Sequence, residues 1–183
     1  AKMRKNLFSS VIFIAVFGIF LGGCGYAPVS KITQNILDES VFVDVRIDKI
    51  DPKNSVAIKD AIRKGITSRL GRTLALKGEA NSEITASIKS LSFEALTYDQ
   101  LGYVTSFRAN LTINFTTILK NGELFSVNTS GDHDFRVARL VKKTRDTSSI
   151  ISDKDRYNAI ENASAQAFDE FIARLAIKGV KLK

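Results

Sequence analysis

Along this chain apolar residues alternate with polar ones in some stretches and recur at every fourth position in others, and the two periods predict its elements. "VFVDVRID" at 41–48 sets Val41, Val43, Val45 and Ile47 on one face and Asp44, Arg46 and Asp48 on the other, a half-buried strand. "DPKNS" at 51–55 predicts a turn whose Asn54 or Ser55 caps the next segment. Residues 56–70 space Ile58, Ile62, Ile66 and Leu70 four apart, an amphipathic helix with Lys59, Asp60, Arg63, Lys64 and Arg69 outward and Gly71 as its stop. Residues 82–95 place Ile84, Ala86 and Ile88 on one face, after which the phase shifts to Leu91 and Phe93. The clearest strand is 106–120, with Phe107, Ala109, Leu111, Ile113 and Phe115 opposite Arg108, Asn110, Thr112, Asn114 and Thr116. A loop at 97–103 precedes it. Asn121-Gly122 comes after it as a hairpin signal, and 123–137 returns with Phe125 and Val127, weakening at Gly131. A last helix runs from Asp153 to Lys178 with Ile160, Ala163, Ala167, Phe171 and Leu175 as its stripe, Phe168 and Ile172 beside it, and Gly179 as its end.

The order is β-α-β-β-β-α. Elements that are apolar on one face must bury those faces against each other. The expected fold is α+β: a four-stranded mixed sheet with two helices packed on one face, leaving a polar outer face of Thr, Asn, Ser and Arg. The intervening helix permits parallel pairing of the first two strands, while the later hairpins are antiparallel. Residues 41–183 read as a single domain. Residues 24–40 have weak periodicity and contain Pro28, and they read as a tether.

The N-terminus changes this picture. Lys2, Arg4 and Lys5 precede an apolar run from Leu7 to Leu21, and no acidic residue appears before Asp38. The run is short for a membrane span of about 20 residues and suits a secretory signal. It ends in Leu21-Gly22-Gly23-Cys24, which resembles the signal of bacterial lipoproteins: small residues before the cut, then a thiol for a lipid. Residues 1–23 are then the signal peptide, and Cys24 is the acylated first residue of the mature chain. The competing reading is an uncleaved anchor with an incidental cysteine. As the chain's only cysteine, Cys24 has no partner within the chain for a disulfide. Cleavage removes three basic residues and lowers the formal net charge from +8 to +5. Each buried CH₂ of an acyl chain contributes about 0.8 kcal/mol, so several chains hold a domain on a membrane. Gly25, where an Asp retains many lipoproteins at the inner membrane, leans toward the outer membrane.

Catalytic chemistry finds no footing. There is one histidine, no phosphate-binding loop, and no nucleophile with a base. No cofactor is implied. "GDHD" at 131–134 offers His133, Asp132 and Asp134, but strand neighbours point to opposite faces, so no metal site is expected. The basic residues Arg136, Arg139, Lys142, Lys143 and Arg145 suit a phosphate-bearing partner or a solvated loop. No aromatic residue interleaves them for stacking on bases. A phosphorylated lipid therefore suits an exported protein better than nucleic acid does. The polar strand face could meet a larger protein or simply solvent.

Several of these features together resemble the lipopolysaccharide-assembly lipoproteins, the LptE family. They are "CGY" at 24–26, "IDKIDPKNSVAIKDAIRKGI" at 47–66, "FRANLTINFTTIL" at 107–119, the "NGE" turn, and a terminal helix rich in Ala and Arg. The resemblance implies an outer-membrane lipoprotein held by acylated Cys24, its domain in the periplasmic half and lumen of an LptD-like β-barrel. There it would plug and help assemble the barrel and bind lipopolysaccharide through basic side chains, without catalysis. Lys142 and Lys143 are the implied lipopolysaccharide contacts, adjoined by Arg136 and Arg139. The family's other basic contact falls in the 97–102 loop, which has no Lys or Arg here, so Arg108 is its nearest substitute. Two departures stand out: "APVSK" after the Cys-Gly-Tyr, and a longer, more basic segment after the fourth strand. The alternative is a free-standing periplasmic envelope lipoprotein that acts as a binding module.

Overall fold

Along β1, Ser40–Val45, the side chains of Val41, Val43 and Val45 are buried and those between them are half-buried. The computed structural model describes residues 31, 33–49, 51–138 and 151–181. The strand stops at Val45, short of the expected end. Arg46 N–H makes the last ladder bond, to Ala86 O at 2.9 Å. Asp48 N–H then turns to the Ser55 hydroxyl at 2.7 Å, which leaves Ile47 73% exposed.

Helix α1, Pro52–Gly65, is capped one turn earlier than expected. Asp51 is in the extended conformation and its carboxylate accepts from Lys53 N–H at 3.0 Å; Pro52, with no N–H to satisfy, takes the first position. Such a cap contributes about 1 kcal/mol. Asn54 and Ser55 are buried inside the first turn; the Asn54 amide reaches Asp48 at 2.8 Å. Residues Ile66–Leu70 continue as a single π-helical turn, closed by left-handed Gly71.

A fifth strand, β2 at Thr73–Leu74, corrects the expected four. It lies parallel to β1 with Ser40 opposite Thr73. Two residues are too few to show alternation. The sheet order is β2-β1-β3-β4-β5, with β3 (Ser82–Tyr98) parallel to β1 and antiparallel to β4 (Val104–Ile118). Between Ile88 and Ser90 the β3–β4 register jumps, so Lys89 is an extra residue. This bulge is the phase shift seen in the sequence: Ile88 faces Ile113, and after the bulge Leu91 faces Leu111. β5, Leu124–Arg136, returns through a turn in which Gly122 has φ 80°, a conformation that favours glycine.

β5 does not weaken at Gly131. That residue pairs with Leu111 and the strand runs on to Arg136. Gly131 is where helix α2, Asp153–Lys181, approaches the sheet. A Cβ there would overlap the Ala163 carbonyl oxygen and come within 2.9 Å of Ala167 N. The Thr129 hydroxyl donates to Ala167 O at 2.7 Å beside it. α2 also passes through Gly179, which is buried and does not end it.

Both helices lie on one face. Phe115 stacks on Phe171 with centroids 4.7 Å apart, and Phe168 packs against both. Residues 33–37, the end of the stretch expected to be a tether, belong to this core: Thr33, Ile36 and Leu37 are buried, and Ile36 O accepts from Lys120 N–H at 3.0 Å. Among the described residues no helix is long and apolar enough to cross a membrane. The predicted signal segment lies outside them.

Candidate functional site

The alternation of β3, β4 and β5 sends every second side chain away from the helices, and nothing among the described elements covers that face. It is paved with short polar side chains that satisfy one another. The Asn114 amide donates to Asn128 Oδ1 at 2.9 Å and to Ser126 Oγ at 3.2 Å. The hydroxyls of Thr112 and Ser130 are 3.0 Å apart, and those of Thr116 and Ser126 are 3.1 Å apart. Thr97 meets Thr105 at 2.7 Å and Ser106 at 2.6 Å. Hydroxyl and amide groups held in this way retain acceptor and donor capacity toward an incoming polar surface.

Arg108 sits on this face, and the structure gives it a partner. Its Nε and Nη2 donate to the two carboxylate oxygens of Asp134 at 2.6 and 2.8 Å, with Asp132 3.9 Å from Nε. The bidentate bond to Asp134 raises the guanidinium pKa above its ordinary value. The same bond holds the Asp134 carboxyl below the usual range. An anion reaching Arg108 must compete with a carboxylate already closed on its fork, so Arg108 is a poor substitute for a free loop cation. The hairpin register carried this signal: counted back from the Asn121-Gly122 turn, Arg108 falls opposite Asp134.

The other predicted residues divide. Arg136 is exposed at the end of β5, in register with Ser106. Arg139, Lys142, Lys143 and Cys24 lie outside the described residues. His133 pairs with Ala109 on the helix side, whereas Asp132 and Asp134 face away. Among the described residues no group of three His, Cys, Asp or Glu side chains could hold a metal.

Two features were missed. Asp132 N–H donates to Gln166 Oε1 at 2.6 Å and Ser130 N–H to Glu170 Oε2 at 3.0 Å. Helix α2 thus caps outward amides of the edge strand, which would otherwise invite another strand. The Ser130 N–H, and after it Arg174, keep the Glu170 carboxyl below its ordinary pKa. The only sequence signal was two acceptors four apart on the polar side of a helix. The second feature is polarity along the strands. The Asn121-Gly122 turn is bound to residues 34–38: Lys120 N–H to Ile36 O, and Lys120 Nζ to Asp38 at 3.1 Å. At the other end lie the Asp99–Tyr103 turn, Arg136 and the start of α2, where Arg156 stacks over Phe93 at 5.0 Å. At about 3.3 Å per residue, the fifteen residues of β4 separate these ends by about 45 Å.

The family model described as LptE, lipopolysaccharide-assembly, matches residues 42–175. Among solved structures, a protein from Caulobacter crescentus assigned as a lipoprotein shares the fold at 14% identity and TM-score 0.52, over 86% of this chain and 98% of that one. The rare lipoprotein B of Shewanella oneidensis aligns at 12% identity and TM-score 0.46, over 78% of this chain and 98% of that one. No curated protein matches.

Proposed function

The chain belongs to the LptE family of lipopolysaccharide-assembly proteins, and from that premise we propose that it is an outer-membrane lipoprotein that plugs and helps assemble an LptD-like β-barrel and binds lipopolysaccharide in transit. The observation that carries this reading is the uncovered sheet face. The interior of an outer-membrane barrel is polar. A rigid face of Ser, Thr and Asn suits such a wall, because its groups can exchange partners without leaving a charge stranded. The length fits as well: about 45 Å of strand compares with 40–45 Å of bilayer including headgroups. A photo-crosslinker at Asn114 should capture the barrel protein in cells. A lipoprotein that crosslinks to no barrel from this face, and that leaves detergent extracts alone, would be a free-standing envelope module instead.

In this reading acylated Cys24 anchors one end, and the basic segment that contains Lys142 and Lys143 departs from the other, after Ala138 and before Ile151. Lys142 and Lys143, with Arg136 and Arg139 adjoining, take the phosphates or core sugars of lipopolysaccharide. Arg108 contributes to the face through Asp134 rather than as a contact. Reversing both charges with Lys142→Glu and Lys143→Glu should weaken lipopolysaccharide binding by about tenfold or more, since hydrogen bonds to charged groups are worth roughly 1.5–3 kcal/mol each. Unchanged binding at low salt would remove these lysines from the site.

A further inference from the structure

The outer edge of β5 is capped along its far half and open along the half nearer the Asn121-Gly122 turn. Odd-numbered residues of this stretch turn their main-chain groups to β4, as the Val137 N–H bond to Thr105 O shows just past the strand. Even-numbered residues turn theirs outward. Helix α2 presents a row to that edge at every fourth position: Gln166, Glu170, Arg174 and Lys178. The first two are acceptors and take the N–H groups of Asp132 and Ser130. The next two are cations, which have no lone pair to offer an N–H. Arg174 closes on Glu170 instead, through Nε at 2.9 Å and Nη2 at 2.6 Å, and Lys178 closes on Glu123 at 2.6 Å. The outward N–H groups of Ser126 and Asn128 therefore find no acceptor among the described residues, and both residues are exposed.

Beside this open stretch lies a cleft of about 280 Å³ between the strand and the last turns of α2. Half-buried Phe125 and Val127 and the 59% exposed Ile177 supply its apolar walls, and Arg174 and Lys178 border it. An open edge with an apolar cleft next to it provides both parts of strand addition: main-chain bonds hold an incoming segment, and the cleft takes one of its side chains. Ser126 and Asn128 also carry their side chains on the uncovered sheet face, so the open edge continues the surface assigned above to the barrel. We infer that the 124–128 edge receives an extended segment of the barrel partner as a sixth strand, with an aliphatic or aromatic side chain of that segment in the cleft. The source of the strand rests on the barrel reading; the open edge does not. A second copy of this chain is a poorer occupant. Two β5 edges paired about a two-fold run antiparallel and lay the domains end to end, whereas the barrel reading places one upright domain in a lumen.

Proline at position 126 removes one outward N–H and no bond to β4, a change that edge strands accept. Ser126→Ala keeps the N–H, loses the hydroxyl, and is the control. A photo-crosslinker replaces Ile177 in the full-length lipoprotein, and the same variants carry the Asn114 crosslinker in parallel. In cells the probe at 177 should capture the barrel protein, about fivefold less of it with Ser126→Pro and an equal amount with Ser126→Ala, as expected for the loss of one hydrogen bond. The probe at 114 should capture it in all three backgrounds. No capture at 177, or equal capture with Ser126→Pro, overturns the added strand and leaves the barrel reading standing so long as 114 still captures. Capture of a second copy at 177 overturns it too and gives the edge to self-association. Failure of both probes in the parent overturns the barrel reading and the added strand together. If Ser126→Pro does not fold, hydrogen exchange of the unaltered protein decides. The amides of Ser126 and Asn128 should exchange freely in the purified lipoprotein and about tenfold more slowly with the barrel protein bound, and an unchanged rate overturns the proposal.

Discussion

Replacing Gly131 with valine should destabilise the protein by about 3 kcal/mol, read as a lowered urea midpoint with an unchanged slope. The reason is contact with backbone, which cannot rotate away. Even alanine's Cβ would overlap the Ala163 carbonyl oxygen and crowd Ala167 N. Relief requires α2 to lift off β5. Lifting stretches the Thr129 hydroxyl bond to Ala167 O and the edge bonds from Ser130 to Glu170 and from Asp132 to Gln166. Each is worth roughly 0.5–1.5 kcal/mol, or more where the acceptor is charged. Gly131→Ala should already cost more than an alanine placed in open space. A Gly131→Ala protein within about 0.5 kcal/mol of the parent, the usual span for a neutral surface change, would show that α2 does not sit on this residue. The variant has a second consequence: a lifted helix exposes the β5 edge, so self-association should rise with concentration.

Gly131 also shows where the sequence stops being readable. Along 123–137 the absence of a side chain looks like a strand losing its apolar face. The reason for it lies 32 residues further on, in the backbone of Ala163, and no local window contains it. The elements that were legible are those whose period is long: β3, β4, β5 and α2 each repeat their pattern enough times to separate two from three and a half. The shift from Ile88 to Leu91 was legible too, because a bulge leaves its mark in the alternation itself. β2 was not, since two residues have no period. Residues 33–37 look like tether because Ile36 and Leu37 are adjacent apolar residues in a turn, with no periodic face of their own, although both belong to the main core and Ile36 O is bonded to Lys120 N–H. Asp51 was passed over as a cap in favour of Asn54 and Ser55, which instead bond Asp48 and close the loop from β1. The polar sheet face came directly from the alternation of β4. The pairing that neutralises Arg108 required a further step, from residue type to register, which the hairpin turn made available.

Phe171→Ala should cost about 3–5 kcal/mol, the range for emptying a buried aromatic site. Phe171 is fully buried and stands at the meeting point of the core: stacked on Phe115 at 4.7 Å, 5.7 Å from Phe168 and 6.2 Å from Phe125. Those partners come from β4, from α2 itself and from β5, so the cavity cannot be closed by moving one element. A domain of this size has roughly 5–15 kcal/mol in hand, so the variant should remain folded only marginally and accumulate poorly in cells. Phe171→Leu keeps much of the volume and should cost about 1.5 kcal/mol. Pairing Phe171→Leu with Phe115→Leu should show a coupling of about 0.5–1.5 kcal/mol, because the ring stack is lost once rather than twice. Two separately additive penalties would mean that the rings do not touch. The contrast with the charge reversals at Lys142 and Lys143 then separates fold from function. Lys142→Glu with Lys143→Glu should leave the urea midpoint where it was and lower lipopolysaccharide binding. Phe171→Leu should lower the midpoint and leave binding per folded molecule intact, since α2 still ties the Asn121-Gly122 end, through Glu123, to the far end at Arg156.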